Sequence, residues 1–372
     1  MNNLIVVLTL FFNLGLGNCQ TKDTIYGEVK SVREQVKFMD SSRQNYKLFS
    51  IDGDYGHSGF MNPEATKYRF NRMWTRTGAT HYINYYKEFD KSRLPLKELW
   101  FYKNGDTLTE LSYHYDKRGN LIQLRDCFTT DDCDITNYSY DDENNLMSEI
   151  NFQTNDPTEY VYTAYKRDSL SNMVESIHFY NNGNWTGWKY GYDTSNRKVS
   201  KSLVFIKNMI DDNYIIKHND SIDVTSLCEE YIYDNRDDLI EKIYYKCEES
   251  DLTKHRINYK TIYEYEDTRL PIRSKTIMFF GKKSSSSITE YYYDSNDNLL
   301  EEIHYYNDDR KSLKYDYDDN SNVKTLIIND SGKQASVNYE YEFDQNGNWI
   351  KQIKSVDDVQ LYVWTRQIRY FK

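Results

Sequence analysis

One short motif recurs ten times along this chain, and it restricts the fold more than any other feature. Its clearest copy reads Tyr113-His-Tyr115-Asp116-Lys-Arg-Gly119-Asn120-Leu121-Ile122. Two aromatics flank one residue, then come an acid, a polar turn and two apolar residues. Related copies begin Tyr138-Ser-Tyr140-Asp141, Tyr231-Ile-Tyr233-Asp234, Tyr291-Tyr-Tyr293-Asp294, Tyr315-Asp-Tyr317-Asp318 and Tyr341-Glu-Phe343-Asp344. Variants at Phe89-Asp90 and Tyr265-Glu266 run into Leu-Pro, and looser copies sit at Asp168 and at Tyr190-Gly-Tyr192-Asp193. The acids fall at 90, 116, 141, 168, 193, 234, 266, 294, 318 and 344. One step, of 41 residues, exceeds all others and marks an insertion near residues 207–226.

Each copy reads as a β-hairpin. Aromatics at i and i+2 share one face of a strand, because side chains alternate. The acid and the Asn open and close a turn, since Asx side chains bond to nearby backbone and tolerate left-handed geometry. In the strand after Asp294, period two places Leu299, Ile303 and Tyr305 on one face and Leu300, His304 and Tyr306 on the other. Two strands per copy predict an all-β fold, a long antiparallel meander of about 20 strands. Such a sheet would run roughly 95 Å along its hydrogen bonds. The expected architecture is therefore a twisted or coiled open sheet, or a partial β-shell. Cross-strand tyrosine ladders would join neighbouring copies.

Composition agrees. The chain has 37 Tyr, more than its 16 Phe and 6 Trp together, and Tyr favours strands. Its 47 basic and 58 acidic side chains give a net charge of −11, so nothing collects nucleic-acid phosphate or anionic lipid. The apolar run Leu4–Leu16 suits a signal peptide over residues 1–19 and is too short to span a membrane. Cleavage before Gln20 is one reading, and a lipid anchor on Cys19 within Leu16-Gly17-Asn18-Cys19 is the other. Residues 20–84 form a strand-rich cap, with Ile25–Val32 and Gln35–Phe38 as a starting pair of strands. Residues 85–372 hold the repeats, ending in a capping strand from Tyr362 to Phe371. Four further cysteines in an exported chain suggest disulfides, and local pairing joins Cys127 to Cys133 and Cys228 to Cys247.

The Tyr-x-Tyr-Asp-x-x-Gly-Asn-Leu copy at 113–121 resembles the YD repeat of rearrangement-hotspot (RHS) and teneurin-type proteins, over about residues 85–355. The turn Gly stands only at Gly119 and Gly347, and the chain shows no Asp-Pro-x-Gly-Leu core motif. The resemblance implies antiparallel strips that spiral into a shell. The chain resembles the small exported YD-repeat-like proteins of Bacteroidetes-type bacteria.

Chemistry is sparsely signposted. Asp294-Ser-Asn296-Asp-Asn298, Asp318-Asp-Asn320-Ser-Asn322 and Asp344-Gln-Asn346-Gly-Asn348 each place oxygens at positions 1, 3 and 5, as calcium loops do. Asx hairpin turns account for the same pattern without a metal. No catalytic residue or cofactor is assigned, because the seven His residues lie in no known motif. Trp185 and Trp188 are candidate binding anchors or fillers of a covered face, and Tyr55 and His57 are candidates in a loop. The expected role is an exported, non-catalytic scaffold or binding module of the envelope, recognising glycan or protein through aromatic rows. A toxin-system partner or immunity protein is the alternative, and a polysaccharide hydrolase is the third reading.

Overall fold

The computed structural model describes residues 25–39, 84–101, 105–127, 132–181, 185–205, 224–247, 256–330 and 332–372. The expected signal peptide, Cys19, Tyr55 and His57 lie outside the described residues, as does most of the insertion near 207–226.

Among the described residues the fold is 22 strands. The first eleven are β1 (Val29–Phe38), β2 (Asn84–Phe89), β3 (Pro95–Phe101), β4 (Thr107–Tyr115), β5 (Leu121–Cys127), β6 (Cys133–Tyr140), β7 (Leu146–Gln153), β8 (Tyr160–Arg167), β9 (Met173–Tyr180), β10 (Trp185–Tyr192) and β11 (Lys198–Phe205). The remainder are β12 (Val224–Tyr233), β13 (Leu239–Tyr245), β14 (Ile257–Tyr265), β15 (Pro271–Phe280), β16 (Lys283–Tyr293), β17 (Leu299–Tyr306), β18 (Asp309–Tyr317), β19 (Val323–Asp330), β20 (Lys333–Phe343), β21 (Trp349–Val356) and β22 (Val359–Tyr370). Every motif turn joins an even-numbered strand to the next odd-numbered one, so all ten turns gather at one rim.

The meander is as expected, but the open sheet or partial shell is not. β1 pairs antiparallel with β2 on one side and with β22 on the other, closing the sheet into a barrel. The two strands expected at Ile25–Val32 and Gln35–Phe38 are one continuous strand of the ring, Val29–Phe38, and β22 completes the circuit rather than capping an array. Closure satisfies the backbone groups that two free edges would expose.

The closing seam is specified by side chains. Glu34 on β1 is fully buried and accepts bonds from Arg366 Nε at 3.0 Å, Trp364 Nε1 at 2.9 Å and the Tyr85 hydroxyl at 3.0 Å. The Arg366 guanidinium in turn lies 3.6 Å from the centre of the Trp349 ring. One carboxylate therefore ties β22, β1 and β2 together, and Arg366 extends the tie to β21. At the rim, Asn348 donates to the Tyr26 carbonyl at 2.9 Å and its own carbonyl accepts the Tyr26 N–H at 2.6 Å.

The two faces differ. The most deeply buried side chains are Lys354, Leu326, Glu34, Glu302, Val32, Val337 and Thr261. All of them fall, by strand register, on the face that carries the motif tyrosines, so that face lines the interior. Its densest packing surrounds Leu313, Tyr315, Leu326, Val337 and Tyr339 on β18–β20. The opposite face carries cross-strand ion pairs such as Lys260–Glu241 at 2.7 Å and Lys351–Glu342 at 2.6 Å. On β20 the outward positions are Gln334, Ser336, Asn338, Glu340 and Glu342. The outer face of that strand is polar, unlike the apolar band of a membrane-spanning barrel. No helix among the described residues is long and apolar enough to cross a membrane.

All ten motif hairpins share a β-bulge just before the turn, as at His114/Tyr115, Ser139/Tyr140 and Tyr292/Tyr293. The extra residue shifts side-chain alternation by one. Leu299 consequently shares the inner face with Glu302, His304 and Tyr306, while Ile303 and Tyr305 point outward. The simple period-two reading of this strand is corrected by that bulge. Ten bulges at one rim add local twist and bend, the deformation a closing sheet requires.

Candidate functional site

The site is best built from the motif outward. In nine of the ten copies the acid is Asp, and its Oδ1 accepts the N–H groups of residues i+2 and i+4. Residue i+3 is left-handed in those nine: Arg93, Gly119, Asn144, Ser171, Asn196, Asp237, Asp297, Ser321 and Gly347. The Asp-held loop thus imposes positive φ on side chains other than Gly, which is why only two copies keep glycine. At 294 and 318 the Asn at i+4 donates its Nδ2 to Asp Oδ2, at 2.9 and 3.0 Å. Asn296 and Asn320 supply the i+2 N–H groups, at 2.8 and 2.9 Å. Asp344 instead receives the Tyr370 hydroxyl, and Asn346 gives its N–H to Asp344 Oδ1 at 2.9 Å. In all three turns the carboxylate oxygens face N–H or O–H donors from the chain itself.

The second motif aromatic has a separate task. The β5–β6 ladder ends at Gln123–Asn137, short of the rim. Beyond it the Tyr140 hydroxyl donates to the Leu121 carbonyl at 3.0 Å. The same bond recurs from Tyr115 to Pro95, Tyr192 to Met173, Tyr233 to Lys198, Tyr265 to Leu239, Tyr293 to Pro271 and Tyr317 to Leu299. Phe343 lacks a hydroxyl, and Tyr341 bonds the Val323 carbonyl instead. These tyrosines fasten each hairpin to the one before it.

Polar groups line the interior below that ring. Thr163 Oγ1 lies 2.9 Å from His178 Nδ1, Thr261 lies 3.0 Å from Thr276, and Thr289 lies 3.0 Å from His304 Nδ1. His304 Nε2 is 3.5 Å from buried Glu302, which also accepts the Tyr315 hydroxyl at 3.0 Å.

The strongest concentration of aromatic surface and charge lies on the inner face of β10–β13. Lys201 Nζ sits 3.9 Å from the centre of the Trp188 ring. Lys198 Nζ lies 4.7 Å from the Tyr231 ring and 5.5 Å from the Tyr190 ring. Lys242 Nζ lies 5.0 Å from Tyr231 and 4.4 Å from Tyr244, which stacks on Tyr259 at 4.1 Å. One carboxylate serves this group: Glu229 is 3.7 Å from Lys201 and 3.2 Å from Lys242, and accepts the Tyr231 hydroxyl. Burial alone would raise Glu229, but Tyr231, Lys242 and Lys201 outweigh it and hold it below its ordinary value. Burial pushes the Tyr231 phenol up, and its bond to Glu229 adds to that. The Lys198 ammonium is lowered by burial, then by repulsion from Lys201 and Lys242, against the pull of Glu229. The Lys201 and Lys242 side chains keep 24% and 20% of their exposure, so water reaches this surface.

Trp188 is therefore half-buried on the inner face under a lysine. Trp185 lies at the start of β10, opposite Phe179. The lysines and Glu229 were not legible as a site, because they lie one or two to a strand on three strands. Their only sequence signal is a basic residue at inward-facing positions of an acidic chain. The cysteines form two cross-strand disulfides, Cys127–Cys133 on β5–β6 and Cys228–Cys247 linking β12 to the end of β13. No group of His, Cys, Asp and Glu able to hold a metal occurs among the described residues.

No family model and no curated protein matches the chain. Among solved structures, TcdB2-TccC3-Cdc42 is similar at 11% identity and a TM-score of 0.34, over 73% of this chain and 16% of that one. TcdB2-TccC3 is similar at 11% identity and a TM-score of 0.29, over 76% and 18%. The chain thus spans less than a fifth of the length of these structures. A porin-like protein from Bacteroides uniformis is similar at 8% identity and a TM-score of 0.24, over 73% and 91%. Scores this low carry no functional inference.

Proposed function

We propose that this chain is an exported, non-catalytic YD-repeat-like binding module of the bacterial envelope, which recognises glycan through the aromatic lining of its barrel. The observation that carries the reading is the water-accessible row of Trp188, Tyr190, Tyr231, Tyr244 and Tyr259. Sugar rings stack on such faces, and tyrosine combines apolar area with a polar tip. These tyrosines are held by the Tyr231–Glu229 bond, the Tyr244–Tyr259 stack and cation–π contacts, so little ordering entropy is lost on binding. Export is supported by the apolar run Leu4–Leu16 and by two disulfides, which persist in oxidising compartments.

The test immobilises residues 20–372 and exposes them separately to solubilised envelope polysaccharides and to envelope proteins. Retention of polysaccharide, weakened by Trp188→Ala, is the expected result. Stoichiometric recovery of one protein with no retained polysaccharide would replace glycan by a protein partner.

A further inference from the structure

The β10–β13 cluster carries more than aromatic surface. Three ammonium groups converge on the rings of Tyr190, Tyr231, Tyr244 and Trp188, and a single carboxylate, Glu229, stands among them. Among the described residues these four groups carry +2, inside a chain whose net charge is −11. Lys198 makes no ion pair among the described residues; its ammonium lies over the rings of Tyr190 and Tyr231 and feels Glu229 only at longer range. Burial is the main cause of the lowered proton affinity of Lys198; Glu229 opposes it, and repulsion from Lys201 and Lys242 adds to it. Elsewhere on the inner wall some cations are paired with carboxylates: Lys87 with Glu98 at 2.5 Å, and Arg366 with Glu34 at 3.0 Å. On this wall three cations and one carboxylate lie against rings that keep a face open to water.

We propose that the inner wall of β10–β13 is a binding site for an anionic saccharide, whose carboxylate or sulfate group neutralises Lys198, Lys201 and Lys242 while its ring stacks on the adjoining aromatics. The inference rests on the glycan-binding reading above and narrows it to one substrate class. Lys198 is the central contact, because it makes no ion pair among the described residues, whereas Lys201 and Lys242 both pair with Glu229. Lys201 and Lys242 are shared between ligand and Glu229. An ammonium–carboxylate bond on a half-buried wall is stronger than a neutral hydrogen bond, so charge sets the preference and stacking sets the orientation.

The test is calorimetric titration of residues 20–372 with three probes: octagalacturonate, maltoheptaose and sodium polyphosphate of matched charge. Octagalacturonate should bind at least tenfold more tightly than either comparator, and more weakly as salt is raised. Lys198→Gln should weaken octagalacturonate about tenfold while leaving maltoheptaose unchanged. Because Lys198 has no ion pair to lose, this variant keeps the fold, and an unchanged circular dichroism melt confirms it. Trp188→Phe, which preserves the ring, should bind octagalacturonate within about twofold of the parent. Equal affinity for octagalacturonate and maltoheptaose would overturn the anionic preference and leave the glycan reading standing. Equal affinity for polyphosphate would show charge recognition without a saccharide and overturn the proposal. No heat with any probe would overturn both readings.

Discussion

At the scale of single residues, the tyrosines divide into those that bond and those that only pack. Tyr317 donates to the Leu299 carbonyl at 2.7 Å, whereas the buried Tyr339 hydroxyl has no hydrogen-bond partner among the described residues. Tyr317→Phe should therefore cost about 1 kcal/mol, and Tyr339→Phe should be neutral or stabilising, as read from urea unfolding. A larger loss at Tyr339 would contradict the assignment. The turn acids fix the acid limit. Asp116 is held below the usual carboxylate range first by its backbone bond with Asn120, and Asp141, Asp168 and Asp294 first by the side chains of Asn145, Asn172 and Asn298. Their folded values lie below the unfolded ones, so their contribution is complete above about pH 4 and is lost as pH falls through the folded values. The tyrosines fix the alkaline limit. Burial raises Tyr115 and Tyr265 to about 12, with nearby carboxylates adding to it. Their contribution is complete below about pH 10 and is lost as pH rises toward 12. Absorbance at 295 nm should show a late-ionising tyrosine class whose titration coincides with loss of the β signal. Ionisation of all tyrosines near pH 10 with the β signal intact would contradict this. That Tyr-x-Tyr faces one way was readable from alternation. Which hydroxyl reaches which carbonyl was not, because the partner belongs to the preceding copy.

At the scale of the element, the unit is a hairpin with a five-residue Asx turn and a bulge. Ser171 occupies the left-handed position with φ of 63°, where a side chain is strained. Ser171→Gly should raise stability by about 0.5–1 kcal/mol, and Gly119→Ala, at φ of 87°, should lower it by about as much. No change at either position, measured by thermal melting, would contradict the turn geometry. The turn itself was legible, since Asp and Asn bracket it in most copies. The bulge was not, because Leu299 and Leu300 are both apolar and period-two counting runs straight through them. That one unseen residue moved Glu302 and His304 to the interior. The same shift hid the binding wall: Lys198 enters a bulged strand, and its inward direction follows from pairing with Tyr192 rather than from spacing.

At the scale of the whole molecule, the decisive fact is that β1 lies between β2 and β22. The contact joins residues more than 300 positions apart, so no local pattern announces it, and a repeat array read copy by copy looks open-ended. Its chemistry is visible only in three dimensions, where Glu34 gathers Tyr85, Trp364 and Arg366. Arg366→Met would leave that carboxylate buried without its cation and should cost about 3–5 kcal/mol. Amide hydrogen exchange tests the closed barrel most directly. Residues 32–36 and 364–368 should be protected on both sides, with rates matching those of β13 and β14. Rapid exchange at alternate residues of β1 or β22, the pattern of a free edge, would show an open sheet and contradict closure.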